Sequence, residues 1–330
     1  MTANPQAEKG PIVTDDATTE SVGGVSERAG ILAAIVSSAL GGTAVAMTRY
    51  LHGPIDAVTL AAFRFGIAFV LLLPLALASQ SKWPQGRDWL GVAALGVLFF
   101  GIFIVIYNVA LHYTTAARGS LALSTLPFVT MLVAALCGRE ALTGRKTTGV
   151  LIAITGVALA LGTGLATAPV GAWRGDLFMS GGTLCMALYT VWSRPLMLRS
   201  SRLGFLTAGM GLGSTASALV AWYRGGFAAT YSLSLVQWLA VLLIGTLGGA
   251  AAFYLWVYAL ERTTPTRMAN TITVNPITAS LIAALLIGEA IGLSLILGMV
   301  AVGVGIWIAS TEQRGASEHT QIAVKNTINE

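Results

Sequence analysis

Apolar runs of membrane-crossing length recur along almost the whole chain, and short polar or Gly/Pro-marked breaks separate them. A helix rising 1.5 Å per residue needs about 20 such residues to cross a bilayer. Ten stretches meet that requirement: 30–48, 57–78, 89–111, 116–137, 147–164, 176–195, 203–222, 235–259, 266–287 and 292–310. The breaks carry turn chemistry. His52-Gly53-Pro54 follows the first span, Lys82-Trp83-Pro84-Gln85-Gly86 the second, and Pro169, Gly171 and Trp173-Arg174 the fifth. Spans 4 and 5, and spans 9 and 10, are joined by very short turns and read as tight hairpins.

The pattern repeats. At one gap-free offset, residues 110–159 fall on 259–308: Ala110 on Ala259, Thr114-Thr115 on Thr263-Thr264, Arg118 on Arg267, Pro127 on Pro276, Glu140 on Glu289, Gly149 on Gly298 and Gly156 on Gly305. Segments of this composition match by chance at roughly one position in ten, and not on Pro, Glu and Arg together. Gly30 with Gly175 and Arg49 with Arg194 extend the match weakly into the first span of each half. In membrane carriers, binding sites lie where such repeats meet.

Composition agrees with a polytopic membrane protein: 55% of the 330 residues are hydrophobic and 10% are charged. The formal charge of +5 is spread over the breaks with no basic face. It therefore reads as a topology signal, not as a nucleic-acid surface. With the N-terminus inside, the inner side holds Lys9, Arg28, Lys82, Arg87, Arg139, Arg145, Lys146, Arg194, Arg199, Arg202, Arg262, Arg267, Arg314 and Lys325; the outer side holds Arg49, Arg118, Arg174 and Arg224. Fourteen against four puts both termini in the cytoplasm. Five spans per half is odd, so the halves run in opposite senses. The expected fold is an all-α membrane protein of ten transmembrane helices in two inverted five-helix repeats. Residues 29–165 and 174–310 form the repeats; 1–28 and 311–330 read as disordered cytoplasmic tails. Cys137 and Cys185 fall inside apolar spans and are expected to be buried and reduced.

These residues resemble the drug/metabolite transporter superfamily, in its ten-span EamA branch. The resemblance is carried by Thr114-Thr115-Ala116-Ala117, Pro127, Glu140-Ala141-Leu142, their copies Thr263-Thr264, Pro276 and Glu289-Ala290, and Arg64 in Ala-Phe-Arg-Phe. It spans Gly30 to Ser310 and implies a bacterial inner-membrane exporter, similar to exporters of amino acids, including aromatic ones.

Arg64 is the only charge that the pattern places deep in a span. An intramembrane Arg costs about 2.5–3.5 kcal/mol, so it must face a cavity or a partner. It reads either as a fork for a substrate carboxylate or as a structural Arg on backbone carbonyls. Pro127 and Pro276 interrupt spans 4 and 9 and free carbonyls at depth. Ser124 and Thr125 precede the first; Asn270, Thr271, Thr273 and Asn275 precede the second. A polar-tipped hollow is expected around both prolines; the other reading is that Ser and Thr only cap the kinks and Asn bonds a neighbouring helix. Phe103, Tyr107 and Asn108 on span 3, Tyr189 and Trp192 on span 6 and Trp256 on span 8 complete the candidate substrate-binding set; packing or interfacial belts are the other reading. Symmetry predicts two gating ion pairs, Arg49–Glu289 and Glu140–Arg194; alternatively each Glu caps the helix that follows it.

The function expected is a secondary transporter working by alternating access on small amphiphilic metabolites, with amino acids foremost. Drug or nucleotide-sugar transport is the alternative within the fold. A membrane-embedded enzyme and a receptor-like bundle are the rivals outside it. His52, His112 and His319 lie at loops or tails and offer no metal motif, and no cofactor is expected. No acidic residue lies mid-span, so a facilitator and a proton antiporter both remain open, with protons as the candidate coupling ion. The implied partners are the small-molecule substrate and the bilayer, with no nucleic acid, and the chain is expected to be monomeric.

Overall fold

The computed structural model describes residues 16–138, 144–163, 168–262, 271–272, 274–305 and 307–308. Helices follow one another with short connections: α1 (Asp16–Tyr50), α2 (Ala57–Ala78), α3 (Asp88–Gly96), a π-helical segment (Val97–Phe103), α4 (Ile104–Tyr113), α5 (Ala116–Leu123), α6 (Leu126–Leu136), α7 (Gly144–Thr163), α8 (Ala172–Arg199) and α9 (Arg202–Tyr223). A 3-10 turn (Gly226–Ser232), α10 (Leu235–Gly245), a second π-helical segment (Thr246–Ala251), α11 (Ala252–Arg262), α12 (Val274–Ile287) and α13 (Leu293–Gly305) complete the chain. Among the described residues, six helical stretches are long and apolar enough to cross a membrane: Arg28–Tyr50, Ala57–Ala78, Asp88–Tyr113, Ala116–Leu136, Arg202–Tyr223 and Leu235–Ala259. The apolar helices over 147–162, 274–287 and 293–305 are shorter. α1 starts at Asp16, so residues 16–28 continue the first helix where a tail is expected.

Local chemistry sets the helix ends. Asp56 caps α2 by accepting from the Val58 and Thr59 amides at 3.0 and 3.2 Å. Thr115 caps α5 and Ser201 caps α9, while Ser234 and Gln237 form a reciprocal capping box on α10. Gly288 ends α12 at φ +67°, a left-handed conformation in which a side chain is strained. Pro127 sits in the first turn of α6, where its missing N–H costs nothing. The chain breaks one step earlier, at Ser124-Thr125.

The two π-helical segments stand at equivalent positions under the same offset that aligns Ala110 with Ala259. A π turn takes carbonyls off the regular ladder. In the second segment, the Gly248 carbonyl accepts from Arg64 Nη2 at 3.2 Å. Just past it, the Ala252 carbonyl accepts from Ser37 Oγ at 2.7 Å. Each segment packs on a neighbour through small residues. A Cβ at Gly249 would lie 2.9 Å from Ala68 Cβ, and one at Gly96 would lie 2.7 Å from the Gly209 carbonyl oxygen.

The core is aromatic. Phe65, Phe99, Phe100 and Phe103 are buried, with Tyr189 and Phe253 packed against them. Phe99 stacks on Tyr189 at 4.4 Å between centroids, and Phe65 meets Phe100 edge-on at 4.8 Å. Gly213 makes this closeness possible: a Cβ there would lie 2.5 Å from the Gly96 carbonyl oxygen and 2.6 Å from Phe100 Cβ. Gly213→Val is therefore expected to destabilise the fold by roughly 1–3 kcal/mol, visible as a lower melting temperature in detergent. An unchanged melt would mean that α9 can move off the π segment freely.

Candidate functional site

Arg64 projects from α2 into the packed centre and is 7% exposed. Among the described residues, its Nη2 donates to the Gly248 carbonyl. The guanidinium carbon lies 5.4 Å from the Phe65 ring centroid and 5.6 Å from that of Tyr107. Nε and Nη1 are buried without a hydrogen-bond partner. An orphaned donor on a buried charge is costly, and native structures rarely keep one without a use for it. Thr48 Oγ1, Asn108 Oδ1 and Asn275 Oδ1 are also buried and unpaired. Asn108 Nδ2 donates to the Ala57 carbonyl at 2.8 Å, which ties α4 to the start of α2.

Charge also concentrates at the bundle end that holds the α1–α2, α4–α5 and α12–α13 turns. Arg49 Nε lies 3.2 Å from Glu289 Oε1. Arg49 Nη1 donates to the Leu111 and His112 carbonyls at 2.9 and 3.1 Å. Glu289 Oε2 accepts from the Ala116 amide at 2.9 Å. Glu289 thus sits on the N-terminus of α5, where the helix dipole favours an anion, and not on the helix that follows it. The same end carries a second pair. Arg118 Nη2 bonds Asp176 Oδ2 and donates to the Leu161 carbonyl at 2.7 Å, and Thr114 Oγ1 donates to Asp176 Oδ1 at 2.8 Å. Arg118 and Asp176 are both buried, so this pair is screened far less than a surface one.

The structure gathers some of the expected site residues and separates others. Phe103 and Tyr107 are buried in the aromatic core, and Tyr189 and Trp256 pack against it. Ser124 is buried and returns its hydroxyl to the Ser120 carbonyl, which caps the break. Pro276 is buried and Pro127 half-buried. Trp192 stands apart from the core at 43% exposure, because it lies outside the aromatic packing that holds Tyr189 one turn earlier. Asn270, Thr273 and Glu140 lie outside the described residues, as does the side chain of Arg194, so the Glu140–Arg194 pair is not described.

Three expectations are corrected. On the Pro276 side the expected hollow is packed among the described residues: Gly42 lies flush against Thr278 and the Asn275 backbone, and Asn275 Nδ2 would be 2.8 Å from a Cβ at Gly41. A cleft of about 460 Å³ lies between α2, α3 and α9 instead, lined by Phe69, Trp83, Trp89 and Leu212 among others. Arg64 is not the only buried charge, because Arg118 and Asp176 at the ends of their spans turn inward to each other. Cys137 is exposed, where α6 ends at Gly138 with φ +66°. The repeated Arg118 and the acidic first turn of span 6 were the available signals for the missed pair. Among the described residues, no three His, Cys, Asp or Glu side chains gather as a metal site requires.

Comparison with known proteins gives a consistent picture. The model of the EamA-like transporter family matches twice, over residues 28–162 and 173–311. An uncharacterized transporter of Bacillus subtilis (strain 168), YyaM, is 22% identical over 80% of this chain and 88% of its own. An uncharacterized protein of Pseudomonas aeruginosa is 30% identical, again over 80% of this chain and 88% of its own. An uncharacterized transporter of Archaeoglobus fulgidus is 23% identical over 81% of this chain and 93% of its own. A solved structure, described only as the crystal structure of a protein, aligns with a TM-score of 0.62 at 18% identity, covering 87% of this chain and 98% of that one.

Proposed function

Because this chain belongs to the EamA-like transporter family, we propose that it is a secondary transporter that exports amino acids or similar small amphiphilic metabolites by alternating access. The ten-span arrangement of two inverted repeats, with both termini cytoplasmic, belongs to this reading, as does a monomer in a bacterial inner membrane. The positive-inside count then puts the Arg49–Glu289 end on the outer face. On this reading the two ion pairs hold that face shut.

The observation that carries the substrate class is Arg64, a buried guanidinium with two nitrogens free of hydrogen bonds beside Tyr107. One guanidinium answers one carboxylate. A nucleotide sugar, with its diphosphate, would ask for further cations at the same depth. Aromatic neighbours suit the apolar part of an amphiphile. A ligand would enter only once the halves part, since the centre is packed in this state.

Competition in proteoliposomes tests the reading. Unlabelled amino acids should suppress uptake of a labelled one, whereas their decarboxylated amines should not. A protein that moves neither, or moves both equally well, would deprive Arg64 of its assigned ligand. Running the assay with and without a pH gradient separates facilitated diffusion from proton antiport.

A further inference from the structure

Next to the Arg49–Glu289 pair, two histidines from different helices meet. His52, in the turn after α1, and His112, at the end of α4, have ring centroids 3.9 Å apart and planes tilted by 45°. His112 is exposed and can exchange protons with solvent, while His52 is half-buried. His52 Nε2 is buried with no hydrogen-bond partner. The backbone carbonyl of His112 is itself one of the acceptors that hold Arg49 Nη1. The rings therefore stand beside the latch that joins α1, α4, the start of α5 and the α12–α13 turn, and the His112 backbone is part of it.

The charged and titratable groups around the rings form a short set. Arg49 comes from α1 and Glu289 from the α12–α13 turn, and they are already paired. Asp56, at the start of α2, is taken up by the Val58 and Thr59 amides. Asp176 on α8 is taken up by Arg118 and Thr114. Tyr113 meets His112 edge-on at 4.9 Å. Among the described residues, Glu289 is the carboxylate paired with Arg49, and the α5 N-terminus already shares it. A proton on either ring adds a second cation beside Arg49 with no anion left to receive it.

We propose that His52 and His112 form a proton-binding site that loosens the Arg49–Glu289 latch, so that acid on that side favours opening there. The proposal rests on the transporter reading above and supplies its coupling or regulatory ion. Linkage fixes the sign. Burial first, then His112, then Arg49, hold the His52 imidazole below its ordinary value of 6.5 in the latched state. An opened state relieves all three and takes up the proton more readily. The latch is therefore fully favoured above that value and loses ground as pH falls below it. Each unit of pKa difference between the states changes the open-to-closed ratio about tenfold.

Spin labels at exposed Tyr231 and Leu293 in a cysteine-free background, with the protein in nanodiscs and no substrate present, would read the separation across the latch. Between about pH 8 and about pH 5.5, spanning the ordinary His range, the long-distance population should grow as the pH falls. His52→Gln and His112→Gln should each blunt that response; melting temperatures at the alkaline end would show that both variants are folded. A pH-independent distance in the wild type, or a full response in both variants, would overturn the proposal, the latter by shifting the titration to Glu289. With no substrate in the sample, failure of the transport assay leaves this readout intact, and the reverse holds too.

Discussion

Replacing Arg118 by alanine, with Asp176 left in place, is expected to cost about 3–5 kcal/mol of stability. The carboxylate is buried at the start of α8 and loses its counter-charge among the described residues, and the Leu161 carbonyl loses a donor at the same time. Thr114 would still hold Oδ1, which softens the loss without neutralising the charge. Asp176→Leu alone should also be severe, because it strands a guanidinium whose Nε is already unpaired. The double variant Arg118→Met with Asp176→Leu should recover most of the loss, since a buried ion pair replaced by apolar side chains is commonly neutral or stabilising. Reversible unfolding in mixed micelles, compared across the four proteins, would measure this. Two harmless single variants would mean that water reaches the pair and that α5, α7 and α8 are not tied there. If the double variant is as stable as the wild type yet transports poorly, the pair serves the conformational cycle more than the fold.

The sequence made the helices legible because membrane-length apolar runs and capping residues are local signals. Ser201, Ser234 and Thr115 stand where the chain must satisfy amides at a helix start. The Arg49–Glu289 contact was reachable as well, although 240 residues separate the two, because the repeat supplied a long-range rule that local pattern lacks. Depth was the blind spot. Arg118 looks like a loop charge at the end of a span, and only packing against α8 shows it turned inward. Helix phase failed for Trp192, which follows Tyr189 by one turn yet leaves the core. The π-helical segments carry no composition cue, since Thr246–Ala251 reads as ordinary small-residue packing. Their effect is nonetheless large, because the loosened ladder hands the Gly248 carbonyl to Arg64. The histidine pair was invisible for the opposite reason: each ring looked like an isolated loop residue, and their contact exists only once two turns are brought together.

Arg64→Leu should weaken the apparent affinity for carboxylate substrates by roughly ten- to a hundredfold while leaving the melting temperature unchanged or higher. The two halves of that expectation come from the same geometry. A guanidinium buried with one hydrogen bond and two free nitrogens among the described residues is a net cost to the fold, so a shorter apolar side chain removes that penalty. The lost Gly248 bond and the ring contacts offset part of that gain. For the substrate, charge-assisted hydrogen bonds of about 1.5–3 kcal/mol disappear, or roughly ten- to a hundredfold in apparent affinity. Arg64→Lys separates charge from fork: an ammonium keeps the charge but not the planar set of donors, so it should retain weak transport with a raised KM. A purely structural arginine predicts the reverse ordering, with the leucine variant less stable than the wild type and its transport falling only in proportion to folded protein. Melting temperature and transport measured on the same preparations therefore decide between the two roles, because a binding residue moves them in opposite directions and a packing residue moves them together.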